Sequence, residues 1–317
     1  TNDESMSGAL AERRGDRVEK PKILVVGATG FLGAHVARAL RNRGYPVRAT
    51  KRRESPTWHL DDLQLEWVLA DLDRPETMRE AVRGCLGVVH AAGFYPSDGL
   101  SVGPAKMRGV SQLRHLFDAI RAEEIPRVVY LSSPATLGPG DGRDAVLDET
   151  SFYIPGTVGN AYYESKQSME AEVYRYVRDG MPASIVLPTA VFGPGDIKPS
   201  TGRYLLEVAR GRIPAVLEAQ MNAVDVRDVA NTVVNALEKG RGGRRYIVGG
   251  ENTSVLEFTR RAARACGARA PSFAAPAEPV SRVARFVERL GRKTVGRLGV
   301  DIPPLVVGTD LMAYSRA

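Results

Sequence analysis

The chain of 317 residues holds only two cysteines, Cys85 and Cys266. One pair builds no disulfide framework, and neither cysteine sits in a metal-ligand spacing, so a reducing cytoplasm is the expected setting. Long apolar runs are missing as well. No uninterrupted stretch approaches the ~20 residues of a spanning helix. Residues 1–20 are polar and lack the apolar core of a leader, and they read as a flexible tail. Aromatic residues make up 7% of the chain and are not interleaved with the arginines that carry most of its net charge of +7. Those arginines are dispersed, often one helical turn from an acid, which speaks against a nucleic-acid-binding stripe. There is no internal repeat.

At 43% hydrophobic and 26% charged residues the chain reads as an ordinary globular protein. Its length suits one large domain with a smaller appendage. Apolar runs at 23–26, 47–50, 65–68, 87–90, 127–131, 184–187 and 245–248 read as strands. Several are continuous rather than alternating, as expected where both faces of a parallel sheet are covered. Helical patterns at 32–43, 75–82, 107–122, 162–177 and 226–237 lie between them. Strand followed by helix, repeated, implies an α/β fold with a doubly wound parallel (Rossmann) sheet. From about Pro194 the pattern becomes irregular. The expected division is a dinucleotide-binding part over 21–193 and a smaller C-terminal substrate lobe over 194–317, with 223–250 crossing back to the large domain. An amphipathic stretch at 280–298 fits a helix packed on the core, one lining an apolar pocket, or one touching a membrane surface.

Between the first strand and the first helix lies Gly27-Ala-Thr-Gly30-Phe-Leu-Gly33. Here the backbone must turn sharply, approach a ligand closely and pack helix against strand, and glycine permits each without a Cβ. The free N–H groups and positive dipole end of the helix then suit a pyrophosphate. Farther along, Tyr162 and Lys166 form Y-x-x-x-K on one face of a helix. The spacing alone is common. Its place is informative, because it opens a helix 29 residues beyond "YLSSPATLG", at the C-terminal end of a strand, and ligands of open α/β sheets bind outside those ends.

The G-x-x-G-x-x-G turn together with this pair resembles the extended branch of the short-chain dehydrogenase/reductase superfamily over nearly all of 21–250, within the wider NAD-dependent epimerase/dehydratase group. The resemblance implies that Gly27, Thr29, Gly30, Phe31, Leu32 and Gly33 meet a nicotinamide dinucleotide. "ADLD" places Asp71 and Leu72 at its adenine, "VVHAAG" places Ala91 and Ala92 beneath it, and "LPTAVFGPGD" places Pro188 and Val191 beside the nicotinamide. "VRATKRRES" resembles the V-R-A-T-x-R of dihydroflavonol reductase-like enzymes, whose matching arginine, here Arg52, faces the adenosine phosphate. NADP(H) is therefore favoured, while the nearby Glu54 leaves NAD(H) open.

Tyr162 is then expected to protonate a substrate carbonyl, helped by Lys166, whose ammonium would draw the phenol down toward the working pH range. Ser132 and Ser133 compete to hold the carbonyl oxygen, and the family pattern aligns without a gap on Ser133. Three departures stand out: Lys106 where relatives carry an asparagine, Leu187 where an arginine is usual, and Pro134 after the serine. Nucleotide-sugar epimerases and dehydratases generally bring an arginine to the diphosphate just upstream of "AVDVRDVA", and none lies between Ile213 and Val226. A ketone or alcohol on a less polar small molecule, as in the dihydroflavonol reductase and 3β-hydroxysteroid dehydrogenase groups, is the favoured substrate. A nucleotide sugar is the alternative, and a dinucleotide sensor without turnover is a third class. Relatives often pair through the helix of Tyr162, so a homodimer is possible.

Overall fold

The computed structural model describes residues 20–96, 100–139, 146–198 and 200–276. The amphipathic stretch at 280–298 and residues 1–19 lie outside the described residues.

Seven strands form one parallel sheet in the order β10-β6-β5-β4-β1-β2-β3. They are β1 (Ile23–Val26), β2 (Val47–Lys51), β3 (Glu66–Leu69), β4 (Gly87–His90), β5 (Val128–Leu131), β6 (Ala183–Pro188) and β10 (Arg245–Val248). Each contains one of the seven apolar runs or overlaps it closely. Side chains alternate across a strand, and both faces here are covered. Leu24 and Val26 therefore enter one core, with α2 (Pro75–Val82), α3 (Val102–Ala122) and α4 (Ala161–Arg178). Ile23 and Val25 enter the other, with α1 (Phe31–Asn42) and α6 (Val226–Lys239). A strand that serves two cores has no polar face to show, which is why these runs read as continuous.

α3 begins five residues before the expected start. Gly103 and Pro104 argue against helix interior, but both fall in its first turn, where proline's missing N–H has no partner to lose. The region from Ala190 onward contains short strands that no periodicity announced. β7 (Ala190–Phe192), β9 (Gln220–Asp225) and β11 (Glu251–Ser254) make a three-stranded sheet, and β8 (Ala215–Leu217) pairs with β12 (Phe273–Ala275). With α5 (Thr201–Ala209) and α7 (Val255–Ala265) they enclose a third core around Phe192, Val208, Ile213, Val216 and Met221. α6 packs on the large sheet and β10 pairs with β6 at its edge. Among the described residues no helix is long and apolar enough to cross a membrane.

β4 and β2 flank β1 on opposite sides, so the chain order reverses there. The crevice outside the strand ends at such a switch point is where open α/β sheets bind ligands. A cavity of about 1040 Å³ lies there, walled by the ends of β1 to β6 and by α5 and its neighbouring loop.

Candidate active site

The turn after β1 is shaped by two close approaches. Gly27 has φ +89°, and a Cβ there would stand 2.7 Å from the backbone nitrogen of Ala92. Only glycine meets both conditions. Its N–H donates to Thr50 Oγ1 at 3.0 Å, tying the turn to β2. Gly33 is buried inside α1 and does not line the cavity; a Cβ on it would come within 2.1 Å of the Gly27 carbonyl. Its place is helix against strand. Gly30 is the N-cap of α1, and no side chain caps that helix start. Thr29, Gly30, Phe31 and Leu32 line the cavity around it.

The same cavity collects the other expected contacts. Arg52 and Ser55 line it at the end of β2, whereas Glu54 is exposed and does not. Asp71 and Leu72 follow β3, and the Asp71 carboxylate accepts the Asp73 N–H at 3.0 Å. Arg108 and Gln112 of α3, which the sequence did not single out, also line it and donate to Asp73 at 2.8 and 2.9 Å. Ala91, Ala92, Pro188 and Val191 complete the floor. An uncapped helix start, a glycine cradle and a long cavity from Arg52 to Tyr162 fit an extended dinucleotide.

At the far end α4 presents Tyr162 in its first turn. Asn160 caps the helix, its Oδ1 accepting the Tyr163 N–H at 2.9 Å. Tyr162, Lys166 and Glu170 follow at intervals of four, one above the other. Ser133 Oγ lies 3.0 Å from the Tyr162 hydroxyl. Pro134 opens a 3₁₀ turn over Pro134–Thr136, capped by that same Oγ, which accepts the Ala135 N–H at 3.2 Å. The unusual proline thus sits where a turn can use it.

Geometry separates the two serines. Ser132 donates to Glu170 Oε2, and Thr136 Oγ1 donates to the same oxygen at 2.7 Å. Arg245 of β10 closes the network, pairing with Glu170 at 2.9 Å and donating to Thr136 Oγ1 at 2.8 Å. Ser132 is engaged in this buried cluster, and Ser133 faces the phenol. Lys106 lines a separate shallow hollow between α3 and α4, and Leu187 is buried in the core, so neither departure alters the cavity wall.

Burial dominates the electrostatics. It pushes the Tyr162 phenol well above its usual value, reinforced by Tyr95 and opposed by Ser133. The expected depression of this phenol by Lys166 is not found in the protein alone, where desolvation of a phenolate dominates. Burial also drives Lys166 down to about 8, against the pull of Glu170. His90, at the end of β4, is pushed down to about 3 by burial and then by Lys166, and stays neutral. α5 and the turn after it add Arg203 and Arg212 to the cavity wall. Both arginines lie outside 213–226, the stretch that carries no arginine.

A doubly wound sheet with a glycine cradle and an aligned Ser–Tyr–Lys group defines a nicotinamide-dinucleotide-binding protein of the extended short-chain dehydrogenase/reductase type. The NAD dependent epimerase/dehydratase family model matches residues 23–249, and the chain belongs to that family. It is 34% identical over 258 residues to a dihydroflavonol 4-reductase-like protein of Synechocystis, spanning 80% of this chain and 74% of that one. It is 32% identical over 274 residues to sterol demethylase protein B of Methylococcus capsulatus, spanning 85% and 82%. Among solved structures, a nucleoside-diphosphate-sugar epimerase from Pseudomonas aeruginosa superposes with a TM-score of 0.75 at 26% identity, covering 94% of this chain and 92% of that one. The reductase among these relatives, with the family, supports NAD(P)-dependent oxidoreduction.

Proposed function

We propose that the protein reduces a ketone on a relatively apolar small molecule, or oxidises the corresponding alcohol, with NADP(H) as the favoured dinucleotide. The observation that carries this reading is the 3.0 Å contact between Ser133 Oγ and the Tyr162 hydroxyl, at the cavity wall with Lys166 one turn along α4. Residues 21–193 would hold the dinucleotide and the lobe from 194 would hold substrate.

When bound, reduced nicotinamide supplies the hydride that the carbonyl carbon accepts. Ser133 and Tyr162 hold the carbonyl oxygen, and Tyr162 releases its proton to that oxygen as negative charge develops there. Burial keeps the phenol protonated, so the proton is there to give, but it also makes the phenol a weaker acid, and the charge of Lys166 offsets this. Lys166 places positive charge beside the phenolate so formed and steadies it until a proton returns. The products are an alcohol and the oxidised dinucleotide.

Arg52 on the cavity wall, with Glu54 turned out of it, supports a 2′-phosphate over a free ribose hydroxyl. The names of two relatives, a dihydroflavonol reductase and a sterol demethylase protein, refer to fused-ring molecules and support an apolar substrate. Arg203 and Arg212 favour a second reading, a nucleotide-sugar epimerase or dehydratase, because two guanidinium groups could meet a diphosphate. Arg212 already pairs with Glu207 at 3.4 Å, which weakens its availability.

Purified protein mixed with NADPH or NADH and a panel of ketones, followed by nicotinamide absorbance, tests the proposal. Ketone-dependent oxidation of NADPH is the expected result. Stabilisation against heat by a UDP-sugar but by no apolar ketone would instead favour the second reading. Tyr162→Phe should abolish turnover while NADPH still binds; undiminished turnover would remove the proposed acid.

A further inference from the structure

The segment that leaves β4 places successive side chains on opposite sides. Phe94 is buried where α3 and α4 meet, though it too borders the cavity; a Cβ on Gly109 would lie 3.1 Å from its ring and 2.9 Å from Met169 Sδ. Tyr95 therefore turns outward, into the cavity, and is 68% exposed. Its position is defined by two neighbours. The ring stacks on that of Tyr162, with centroids 5.6 Å apart and planes at 15°, and Lys166 Nζ lies 5.2 Å from its centre. Gly93 leaves it room, since a Cβ there would come within 2.6 Å of Tyr95 Cε2.

A large ring held in place yet left uncovered, beside the group that would meet the carbonyl, is a contact surface awaiting an apolar partner. Pro134, Ile213 and Val216 line the same cavity from the β5 turn and the lobe. We propose that Tyr95 is a specificity-determining residue whose ring forms the wall against which a ring-bearing ketone packs as its carbonyl reaches Ser133 and Tyr162. This rests on the reductase reading above.

The ring, not the hydroxyl, carries the effect. Its measure is the ratio of kcat/KM for α-tetralone over kcat/KM for butanone, with NADPH as the reductant. Tyr95→Ala should lower that ratio about tenfold, the size of one lost aromatic contact. Tyr95→Phe should keep it. Gly93→Ala should also lower it, because the added methyl displaces the ring while leaving it in the chain. An unchanged ratio in Tyr95→Ala overturns the proposal, and so does a loss in Tyr95→Phe as large as in Tyr95→Ala. Wild-type protein that oxidises NADPH with neither ketone overturns the reductase reading itself, and this proposal with it.

Discussion

Lys166 holds its position at a measurable cost to the fold, and replacing it with methionine, which keeps the length and the apolar contacts, should stabilise the protein. The ammonium is 2% exposed and its pKa is driven from 10.5 to about 8, with the pull of Glu170 already included. A shift of that size corresponds to about 3 kcal/mol against the folded state. The ring faces of Tyr95 and Tyr162, 5.2 and 5.8 Å from Nζ, return about 1 kcal/mol. Lys166→Met should therefore gain about 2 kcal/mol at pH 7, or roughly 3 °C in Tm for a chain of this size. The sign follows from where protons sit. Below pH 8 the lysine is charged in both states and the folded state bears the full penalty. Between pH 8 and 10.5 the folded protein has released its proton while the unfolded chain holds it, so wild type regains stability as pH rises. By pH 10 the advantage of the variant should have fallen below about 1 kcal/mol. Urea denaturation of both proteins at pH 7 and pH 10, without dinucleotide, measures this. A variant no more stable than wild type at pH 7, or a gap that does not close toward pH 10, would refute the reasoning.

The two serines should respond differently to alanine. Ser133→Ala should lower kcat about a hundredfold, as loss of an oxyanion donor does, whereas Ser132→Ala should chiefly cost about 1 kcal/mol of stability by removing a donor from Glu170. Steady-state kinetics beside urea titrations of both variants separate the roles. Arg245→Met strands the Glu170 carboxyl, which burial already pushes above the ordinary carboxylate range, and should destabilise by about 3–5 kcal/mol in denaturant titrations. Arg52→Ala should raise KM for NADPH about tenfold while leaving KM for NADH within about twofold, the outcome of losing a charge-assisted partner for one phosphate. Equal changes for both dinucleotides would move the 2′ position away from Arg52.

How far the sequence reaches is clearest at particular residues. The inner strands β1, β4, β5 and β6 were legible because parallel strands covered on both faces are apolar almost throughout, and β2, β3 and β10 were legible as shorter apolar runs alternating with helical patterns. The turn at Gly27 was legible for a similar reason, since a left-handed φ and a backbone neighbour leave one residue type. Tyr162 and Lys166 were legible through a helical interval combined with a position at a strand end. The short strands β7, β8, β9, β11 and β12 were not, because three to six residues carry too little periodicity to stand out. Tyr95 left a faint trace, an aromatic just beyond the end of β4, and nothing local distinguished it from Phe94, which is buried.

Local dihedral preference and side-chain period, both written within a few neighbouring residues, were enough to establish the doubly wound sheet, the glycine turn after β1 and the tyrosine–lysine face. Folding alone decided which serine meets the phenol, because Glu170, Thr136 and Arg245 had first to converge from α4, the β5 turn and β10 to engage Ser132. It also decided that the phenol rises and the ammonium falls, and that Arg203 and Arg212 reach the cavity. Burial and pairing between distant groups depend on what the whole chain excludes from water, which no short stretch specifies.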